Sequence, residues 1–323
     1  MTTAVPLIYS FPEFSGVAEA VADHVVAAQN YALFGDNNRK KSISEAGSSK
    51  NLSANSNGSQ SLRNIAEQSA SSINLSGNAT PTSSKEQRKK KKEENRRFRI
   101  GLSGGSLIGV LREGLLSRTD VEWSKWDVYF ADERLVPFDS PESNYGKAKS
   151  QIFDQIPKDR GYPRIFPIDE TLLSDPQECA DMYEKTLIKG FAYKDSVKLP
   201  MFDLILLGCA PDGHVASLFP NHETLRENYA WCAPVEDAPS GPPSRITLTV
   251  PVICHSNRVS FVVEGATKAP VISTIMERPD KGLPASIINE KAAGRIAWFV
   301  DDDAVSDVVS VTKKRYKFLV QSD

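Results

Sequence analysis

A short apolar stretch that ends in turn-forming residues constrains the fold of this chain most strongly. Residues 202–207 have the length and composition of a buried strand, and residues 208–213 end it with two glycines and a proline. Asp212 and His214 lie directly after that strand. Ligands of open α/β sheets bind just outside the carboxyl ends of the strands, where an imidazole with a near-neutral pKa is a useful base. An ordinary surface turn with an exposed histidine is the alternative interpretation.

Strand-like and helix-like segments alternate along most of the chain. Alternation of this kind predicts an α/β fold, a doubly wound, mostly parallel sheet flanked by helices. The predicted strands are 5–11, 98–102, 126–131, 202–207, 246–250, 259–263 and 296–300, and the predicted helices are 14–34, one from 107, one opened by 140–146, 175–191 and one after 268.

Residues 35–97 interrupt this pattern. The segment contains no aromatic residue and no cysteine, and serine and asparagine dominate it. Such a composition cannot bury enough apolar surface to offset the entropy lost on ordering. We therefore expect one domain formed by residues 1–34 and 98–323, with residues 35–97 as a disordered insertion.

The end of the insertion is basic. Lys85–Arg99 holds nine Lys or Arg against three Glu, a local net charge of +6 in a chain of net charge −2. The unbroken run Arg88–Lys92 is typical of nuclear-import signals and nucleic-acid patches. A solvated charged helix with i,i+4 pairs explains it equally well, and no aromatic residues are interleaved for RNA stacking.

The cysteines and the apolar runs exclude several classes of protein. The four cysteines are widely spaced without a C-x-x-C pair, which argues against a zinc site or a disulfide framework and favours reduced thiols in the cytosol. No apolar run reaches the ~20 residues that span a bilayer. Residues 1–10 lack the basic start and apolar core of a signal peptide.

A glycine pair between a predicted strand and a predicted helix suggests an anion site. Ser103, Gly104, Gly105 and Ser106 place backbone N–H groups at a helix N-terminus, which attracts phosphate. A tight turn that uses glycine for its positive φ is the alternative.

Five charged or polar residues near predicted strand and helix ends are further candidates for the site. Each of them also has a structural interpretation, as an ion pair, a brace or a solvent-exposed charge. They are Asp132, Arg134, Asn144, Arg245 and Lys268.

Five short motifs in order resemble the 6-phosphogluconolactonase family. They are S-G-G-S at 103–106, A-D-E-R-L-V-P-F at 131–138, S-N-Y-G at 143–146, P-D-G-H at 211–214 with S-L-F-P at 217–220, and R-I-T-L-T at 245–249. The resemblance covers residues 1–34 and 98–323. The related glucosamine-6-phosphate deaminases share the fold and an S-G-G-S-like loop, but S-L-F-P resembles the lactonase branch.

The resemblance implies hydrolysis of 6-phospho-D-glucono-1,5-lactone to 6-phosphogluconate, in the oxidative pentose phosphate pathway, without a cofactor or a metal. His214 would be the base that activates water, and Asp212 would orient His214 or position the water. Backbone N–H groups of the Gly104–Gly105 turn, or a cation, would stabilise the oxyanion.

The resemblance also implies how the substrate binds. Arg134, Arg245 and Lys268 are the candidates for the 6-phosphate. Asp132 and Asn144 would bind sugar hydroxyls or brace the loop.

Two positions depart from the family pattern. Family members commonly carry a lysine where this chain has Ser240, and usually a glycine where it has Ala210. Ala210 precedes a proline and is restricted to extended conformations. If the family glycine has a positive φ, alanine there would cost about 1–2 kcal/mol and weaken the catalytic loop.

The insertion resembles that of the fungal (yeast) subgroup of the family. Members of that subgroup have been linked to nucleocytoplasmic tRNA distribution. An alternative hypothesis is therefore a weakly active or inactive lactonase-like protein with a regulatory role, cytoplasmic and also nuclear, whose Lys85–Arg99 segment contacts RNA phosphates in a salt-dependent way.

Overall fold

The computed structural model describes residues 6–35, 95–192 and 198–319. Contacts within the chain divide it into two units, residues 1–32 with 97–323 and residues 33–96. The insertion predicted for residues 35–97 lies almost entirely outside the described residues. The fold described below is that of the first unit.

The predicted parallel sheet is confirmed. Its strands run β11-β1-β10-β9-β6-β2-β3-β5, and every neighbouring pair is parallel. These strands are β1 (Leu7–Phe11), β2 (Phe98–Leu102), β3 (Trp126–Phe130), β5 (Arg164–Phe166), β6 (Leu204–Leu207), β9 (Val259–Val263), β10 (Ile296–Asp301) and β11 (Lys313–Lys314).

Helices flank this sheet. In the described part of the chain they are α1 (Phe14–Phe34), α2 (Leu107–Leu115), α3 (Asn144–Gln151), α4 (Pro176–Phe191), α5 (Val250–His255), α6 (Ala269–Glu277) and α7 (Pro284–Lys291). Buried residues recur along α4 at helical spacing, at Cys179, Tyr183, Leu187 and Phe191. The described residues include no helix that is both long and apolar enough to cross a bilayer.

The direction in which the chain adds successive strands to the sheet reverses between β2 and β6. The chain passes from β2 to β3 and β5 on one side, returns through α4 to β6, and continues to β9 and β10 on the other side. Parallel α/β sheets bind ligands at such a switch point, outside the carboxyl ends of the strands. The site is therefore expected above β9, β6, β2 and β3.

A second, three-stranded antiparallel sheet was not predicted. It consists of β4 (Asp132–Arg134), β8 (Arg245–Leu248) and β7 (Cys232–Val235), in the order β4-β8-β7. The sequence predicts Asp132–Arg134 at the carboxyl end of the strand 126–131, whereas Asp132 pairs with Thr247 in this separate sheet. All four residues of β8 are buried. A three-residue strand has too little periodicity to be recognised in a sequence.

The C-terminal segment, whose role the sequence left open, packs against the first strand and helix. β11 pairs with β1, and the Tyr316 hydroxyl donates to Asp23 Oδ2 over 3.2 Å. The Leu319 backbone N–H donates to the same oxygen over 2.8 Å. One buried carboxylate of α1 therefore holds two residues of the tail.

Candidate active site

A cleft of about 240 Å³ lies above the carboxyl ends of β2, β3, β6 and β9. Its position is the switch point that the topology selects. The cleft is lined by Ser103, Gly104, Gly105, Ser106, Asp132, Arg134, Gly208, Cys209, Ala210, Pro211, His214, Ala216, Val262, Val263, Glu264 and Lys268.

The S-G-G-S loop joins β2 to α2 and forms one wall of the cleft. Gly104 has no space for a side chain, because a Cβ there would lie 1.7 Å from Asn144 Oδ1. Gly105 has a φ of 72°, which favours glycine. Ser106 is the N-cap residue of α2, and its side chain makes no capping hydrogen bond. The first N–H groups of the helix are therefore available to an anion.

Asp132 joins the two halves of the cleft. Its Oδ1 accepts from the Ser103 hydroxyl over 2.9 Å, and its Oδ2 accepts from the Ser217 hydroxyl over 2.9 Å. Asn144 Nδ2 donates to the Asp132 backbone carbonyl over 2.9 Å. These bonds tie the S-G-G-S loop to the turn after β6, so Asp132 and Asn144 act as braces in this structure.

In the turn after β6, Asp212 holds the side chain and the backbone N–H of His214. Gly213, with a φ of 86°, closes the turn through a hydrogen bond from its N–H to the Ala210 carbonyl over 2.9 Å. Asp212 Oδ1 accepts from the His214 backbone N–H over 3.1 Å and lies 2.7 Å from His214 Nδ1. A carboxylate at this distance selects the tautomer protonated on Nδ1 and leaves Nε2 as the basic nitrogen.

The surroundings of His214 lower its pKa. Burial lowers the pKa of His214, the charges of Asp212 and Asp132 oppose the shift, and the charge of Arg245 adds to it. The ring packs against Phe219, with the ring centroids 4.5 Å apart, and the Arg245 guanidinium lies 5.2 Å from the centroid of the same ring. A neutral imidazole can accept a proton from water. Phe219 was missed in the sequence because nothing local marks it as a neighbour of His214.

Arg245 is buried beside the cleft and does not line it. The residue is 2% exposed, and its Nε donates to the Pro242 carbonyl over 2.9 Å. Its Nη2 donates to the Ser240 carbonyl, so the position where relatives carry lysine contributes its backbone here. Among the described residues no acceptor pairs with the buried Nη1. A direct phosphate contact by Arg245 remains a prediction.

Arg134 lines the cleft and is held at its outer edge. Its Nη1 donates to the Glu142 backbone carbonyl over 2.9 Å and to Glu142 Oε2 over 3.1 Å. Its Nε lies 3.9 Å from Asp132 Oδ2. These contacts leave part of a partly exposed guanidinium free to meet an anion.

Glu133 supports the site from behind, although it was not among the site residues selected from the A-D-E-R-L-V-P-F motif. Its carboxylate accepts from the backbone N–H groups of Arg134, Asn144 and Tyr145 over 2.7–2.8 Å, and from the Ser143 hydroxyl over 3.3 Å. Burial raises the pKa of Glu133 to about 7, and the three backbone N–H groups oppose the shift. The carboxylate thereby fixes the start of α3, from which Asn144 reaches Asp132.

Backbone strain in the turn after β6 lies at a different residue from the one expected. Ala210 is not among the described non-glycine residues with positive φ, so the predicted cost of alanine at that position does not arise. Ala216, which lines the cleft, has a φ of 51°. Its neighbours Val215 and Leu218 form a tight turn, in which the Leu218 N–H donates to the Val215 carbonyl over 2.9 Å.

The wall formed by the end of β9 carries opposite charges. Glu264 and Lys268 both line the cleft, and Lys268 ends the short helical turn Ala266–Lys268. Burial raises the pKa of Glu264 to about 7, the charge of Asp301 adds to the shift, and the charge of Lys268 opposes it. Lys268 is a predicted site residue on this wall, whereas Glu264 is not among the site residues predicted from the sequence.

Most of the predicted site residues meet in this one cleft. Ser103, Gly104, Gly105, Ser106, Asp132, Arg134, His214 and Lys268 line it, while Asp212, Asn144 and Arg245 lie behind it in contact with His214, Asp132 and Phe219. No group of three or more His, Cys, Asp or Glu suited to a metal occurs among the described residues.

The fold and the cleft define a doubly wound α/β protein in which a carboxylate-held imidazole and the N-cap of a helix line one cleft. Comparison with known sequences identifies the family to which the chain belongs. Residues 61–298 match the family described as glucosamine-6-phosphate isomerases/6-phosphogluconolactonase. The chain belongs to this family.

Individual proteins named as 6-phosphogluconolactonases, or as 6-phosphogluconolactonase-like, are similar to this chain. The chain is 63% identical over 320 residues to "6-phosphogluconolactonase-like protein 1" of Saccharomyces cerevisiae, with 98% of each chain covered. It is 38% identical over 231 residues to the 6-phosphogluconolactonase of Rattus norvegicus, covering 69% of this chain and 85% of that protein. The solved structure of 6-phosphogluconolactonase from Trypanosoma cruzi shares the fold, with a TM-score of 0.61 at 21% identity, over 95% of this chain and 98% of that one.

Proposed function

We propose that this protein hydrolyses 6-phospho-D-glucono-1,5-lactone to 6-phosphogluconate, as a hydrolase of the pentose phosphate pathway. The observation that carries the proposal is the 2.7 Å contact between Asp212 Oδ1 and His214 Nδ1 at the edge of a cleft that also holds a helix N-terminus. A lactone needs a base-activated water and donors for the oxyanion, and a phosphorylated lactone also needs an anion site.

The proposed reaction follows from the positions of these groups. His214 Nε2 takes a proton from a water as its oxygen attacks the lactone carbonyl. Backbone N–H groups at Gly104 and Gly105 stabilise the negative charge that develops on the carbonyl oxygen. The bond between the carbonyl carbon and the ring oxygen then breaks, and the proton held by His214 passes to that ring oxygen. Water is thereby added across the ester bond, without a cofactor.

The cations of the cleft support binding of the phosphate. Lys268, Arg134 and Ser106, the N-cap residue of α2, line the cleft. Asp132 is committed to Ser103 and Ser217, so its role is to hold the two loops rather than to bind a sugar hydroxyl. Ser217 is correspondingly a donor to Asp132 and not the nucleophile.

An assay with freshly generated 6-phosphogluconolactone tests the proposal, with His214→Ala as the matched control. The wild-type protein is expected to hydrolyse the lactone well above the spontaneous rate, and the variant is not. Glucosamine 6-phosphate is the second substrate, because the family includes its deaminases. Hydrolysis by folded wild-type protein at only the spontaneous rate would refute the lactonase proposal.

A second candidate function concerns the basic segment Lys85–Arg99. The S. cerevisiae relative aligns over 98% of this chain, so the alignment includes the Ser- and Asn-rich segment, and its printed name marks it as lactonase-like. The rat lactonase covers only 69% of this chain. A segment shared with the lactonase-like relative supports a regulatory function in the cytoplasm and nucleus, with RNA phosphate as the partner.

Deletion of residues 36–97 separates the two candidates. Catalysis is expected to survive the deletion, because every residue of the cleft lies outside the deleted range. Retention of tRNA at low salt should be lost. Retention that persists in the deleted protein would exclude the basic segment as the RNA-binding element.

A further inference from the structure

Glu264 is the one carboxylate of the cleft wall that the proposed mechanism does not use. It follows β9 directly and lies in the lining together with Ser103–Ser106 and Lys268. Its Oε1 is buried, and no group in the described part of the chain donates a hydrogen bond to it. A buried carboxylate oxygen without a donor is unusual, because the ionised form loses its hydration and gains no hydrogen bond in return.

The charged neighbours of Glu264 are fixed by two elements. Asp301, at the end of β10, accepts from the Gly265 N–H over 2.8 Å and from the Ala304 N–H over 2.8 Å, so its carboxylate is held beside Glu264. Lys268, at the end of the short helical turn Ala266–Lys268, also lines the cleft, and its charge acts on Glu264. Across the cleft lie the charged or titratable groups Asp132, Arg134 and His214.

These neighbours act on Glu264 in opposite directions. Burial and the charge of Asp301 disfavour its ionised form, and Lys268 favours it, with the result that its pKa is raised to about 7. The balance lies near neutral pH, so a small change in the cleft changes the protonation of this carboxyl group. An incoming dianion would disfavour the ionised form further.

We propose that Glu264 is a specificity-determining residue that must be protonated for a phosphate monoester to bind. This inference rests on the proposed function for the identity of the ligand. The neutral carboxyl group leaves the charge of Lys268 uncompensated and donates its O–H to a phosphate oxygen. The ionised carboxylate neutralises Lys268 and repels the phosphate. Binding of the substrate is therefore coupled to the uptake of a proton by Glu264.

The coupling predicts a defined pH dependence. As the pH rises from 6 to 8, Glu264 ionises and the affinity for the phosphorylated ligand falls by about ten-fold. Glu264→Gln has the size and the donor of the protonated form but cannot ionise. Its affinity should therefore lack this loss, and the ratio of wild-type to variant Kd should rise about ten-fold between pH 6 and pH 8.

Calorimetric titration with 6-phosphogluconate measures this ratio on the full-length protein. The ligand's own ionisation and that of His214 are present in both proteins and cancel in the ratio. Inorganic phosphate is the second probe, because it carries the recognised group alone. Glu264→Ala is the second variant, expected to bind without the pH-dependent loss but more weakly than Glu264→Gln at pH 6, since it lacks the donor.

The outcomes are distinguishable. A Kd ratio that rises with pH for either probe supports the proposal. Parallel pH profiles of wild-type and Glu264→Gln overturn it, even where 6-phosphogluconate binds and the lactonase function stands. If folded wild-type protein binds neither probe at any pH, both the inference and the proposed function fail. Turnover adds a further criterion, because the KM of the wild-type protein should rise with pH above 7 and the KM of Glu264→Gln should not.

Discussion

The two sides of the cleft differ in how their carboxylates are satisfied. On the side of β3 and β6, Asp132 accepts from two serines and Asp212 holds the imidazole of His214. On the side of β9, Glu264 has a buried oxygen without a donor in the described residues. A fully bonded carboxylate fixes the geometry of its partners, whereas an unsatisfied one can change its protonation state at little structural cost. The first side suits catalysis, and the second suits a response to charge.

Glu133 sharpens the comparison, because burial raises its pKa to about 7 just as it does for Glu264. Glu133, however, has three backbone donors and the Ser143 hydroxyl. Similar pKa values therefore arise in two environments that differ in their hydrogen-bond donors. The donors, and not the pKa, distinguish a structural carboxylate from one available to a ligand.

The largest expected effect is on the bonded side, at the base. His214→Gln should lower kcat by about 10²–10⁴-fold, because general base catalysis contributes that much. Binding of 6-phosphogluconate should change little. The measurement is the steady-state rate beside calorimetric affinity. A variant with near wild-type kcat would show that this side of the cleft does not supply the base.

The next largest effect is expected for Asp212→Asn, which tests how the imidazole of His214 is oriented. An amide in place of the carboxylate no longer favours the tautomer protonated on Nδ1, so kcat should fall by about ten-fold or more. Because Asp212 raises the pKa of His214 and burial lowers it, its removal should move the acid limb of kcat/KM to lower pH. The wild-type limb itself should lie below the ordinary histidine pKa. A limb that moves to higher pH would contradict this arrangement.

Matched substitutions of the two glutamates measure the comparison directly. Glu133→Gln places an amide NH₂ against backbone donors and should lower the free energy of unfolding by about 1–3 kcal/mol. Glu264→Gln breaks no hydrogen bond to a described residue and should cost less. Urea unfolding of both variants at one pH gives the difference. Equal losses would remove the distinction between the two carboxylates.

The same unfolding experiment has a signed pH dependence at Glu264. Its folded pKa of about 7 is higher than its ordinary value of 4.5, so the folded state binds more protons between these values. The contribution of Glu264 to stability is therefore present below pH 4.5 and is lost as the pH rises through 7. The stability of Glu264→Gln relative to wild type should rise across this window. A constant difference would show that Glu264 does not titrate there.

The smallest expected change in stability concerns two alanines of the turn after β6. Ala216→Gly relieves a positive φ of 51°, which offsets the greater entropy of glycine in the unfolded chain, so stability should change by less than about 1 kcal/mol. Ala210→Gly is the matched control at a position without positive φ, and it should only destabilise, by about 0.4–1 kcal/mol. Denaturant midpoints of the two variants check the order. A gain in stability for Ala210→Gly would restore the strain first suspected there.

The sequence by itself predicted the parallel sheet and the edge of that sheet at which the cleft lies. Strand periodicity, the glycine pair at 104–105 and the turn at 211–214 are local features, and the ends of neighbouring parallel strands must meet at one edge. For this reason His214, Asp132 and Lys268 could be chosen together although they lie far apart in the chain.

Only the tertiary structure decided which of these groups are satisfied. Asp132 meets Ser217 across 85 residues, and Glu264 lies beside Asp301 from another strand. The burial of Arg245 depends likewise on an antiparallel sheet formed by three short, separated strands. Burial and hydrogen-bond satisfaction are properties of packed neighbours, and a sequence pattern specifies which face a residue occupies but not which partner it meets there.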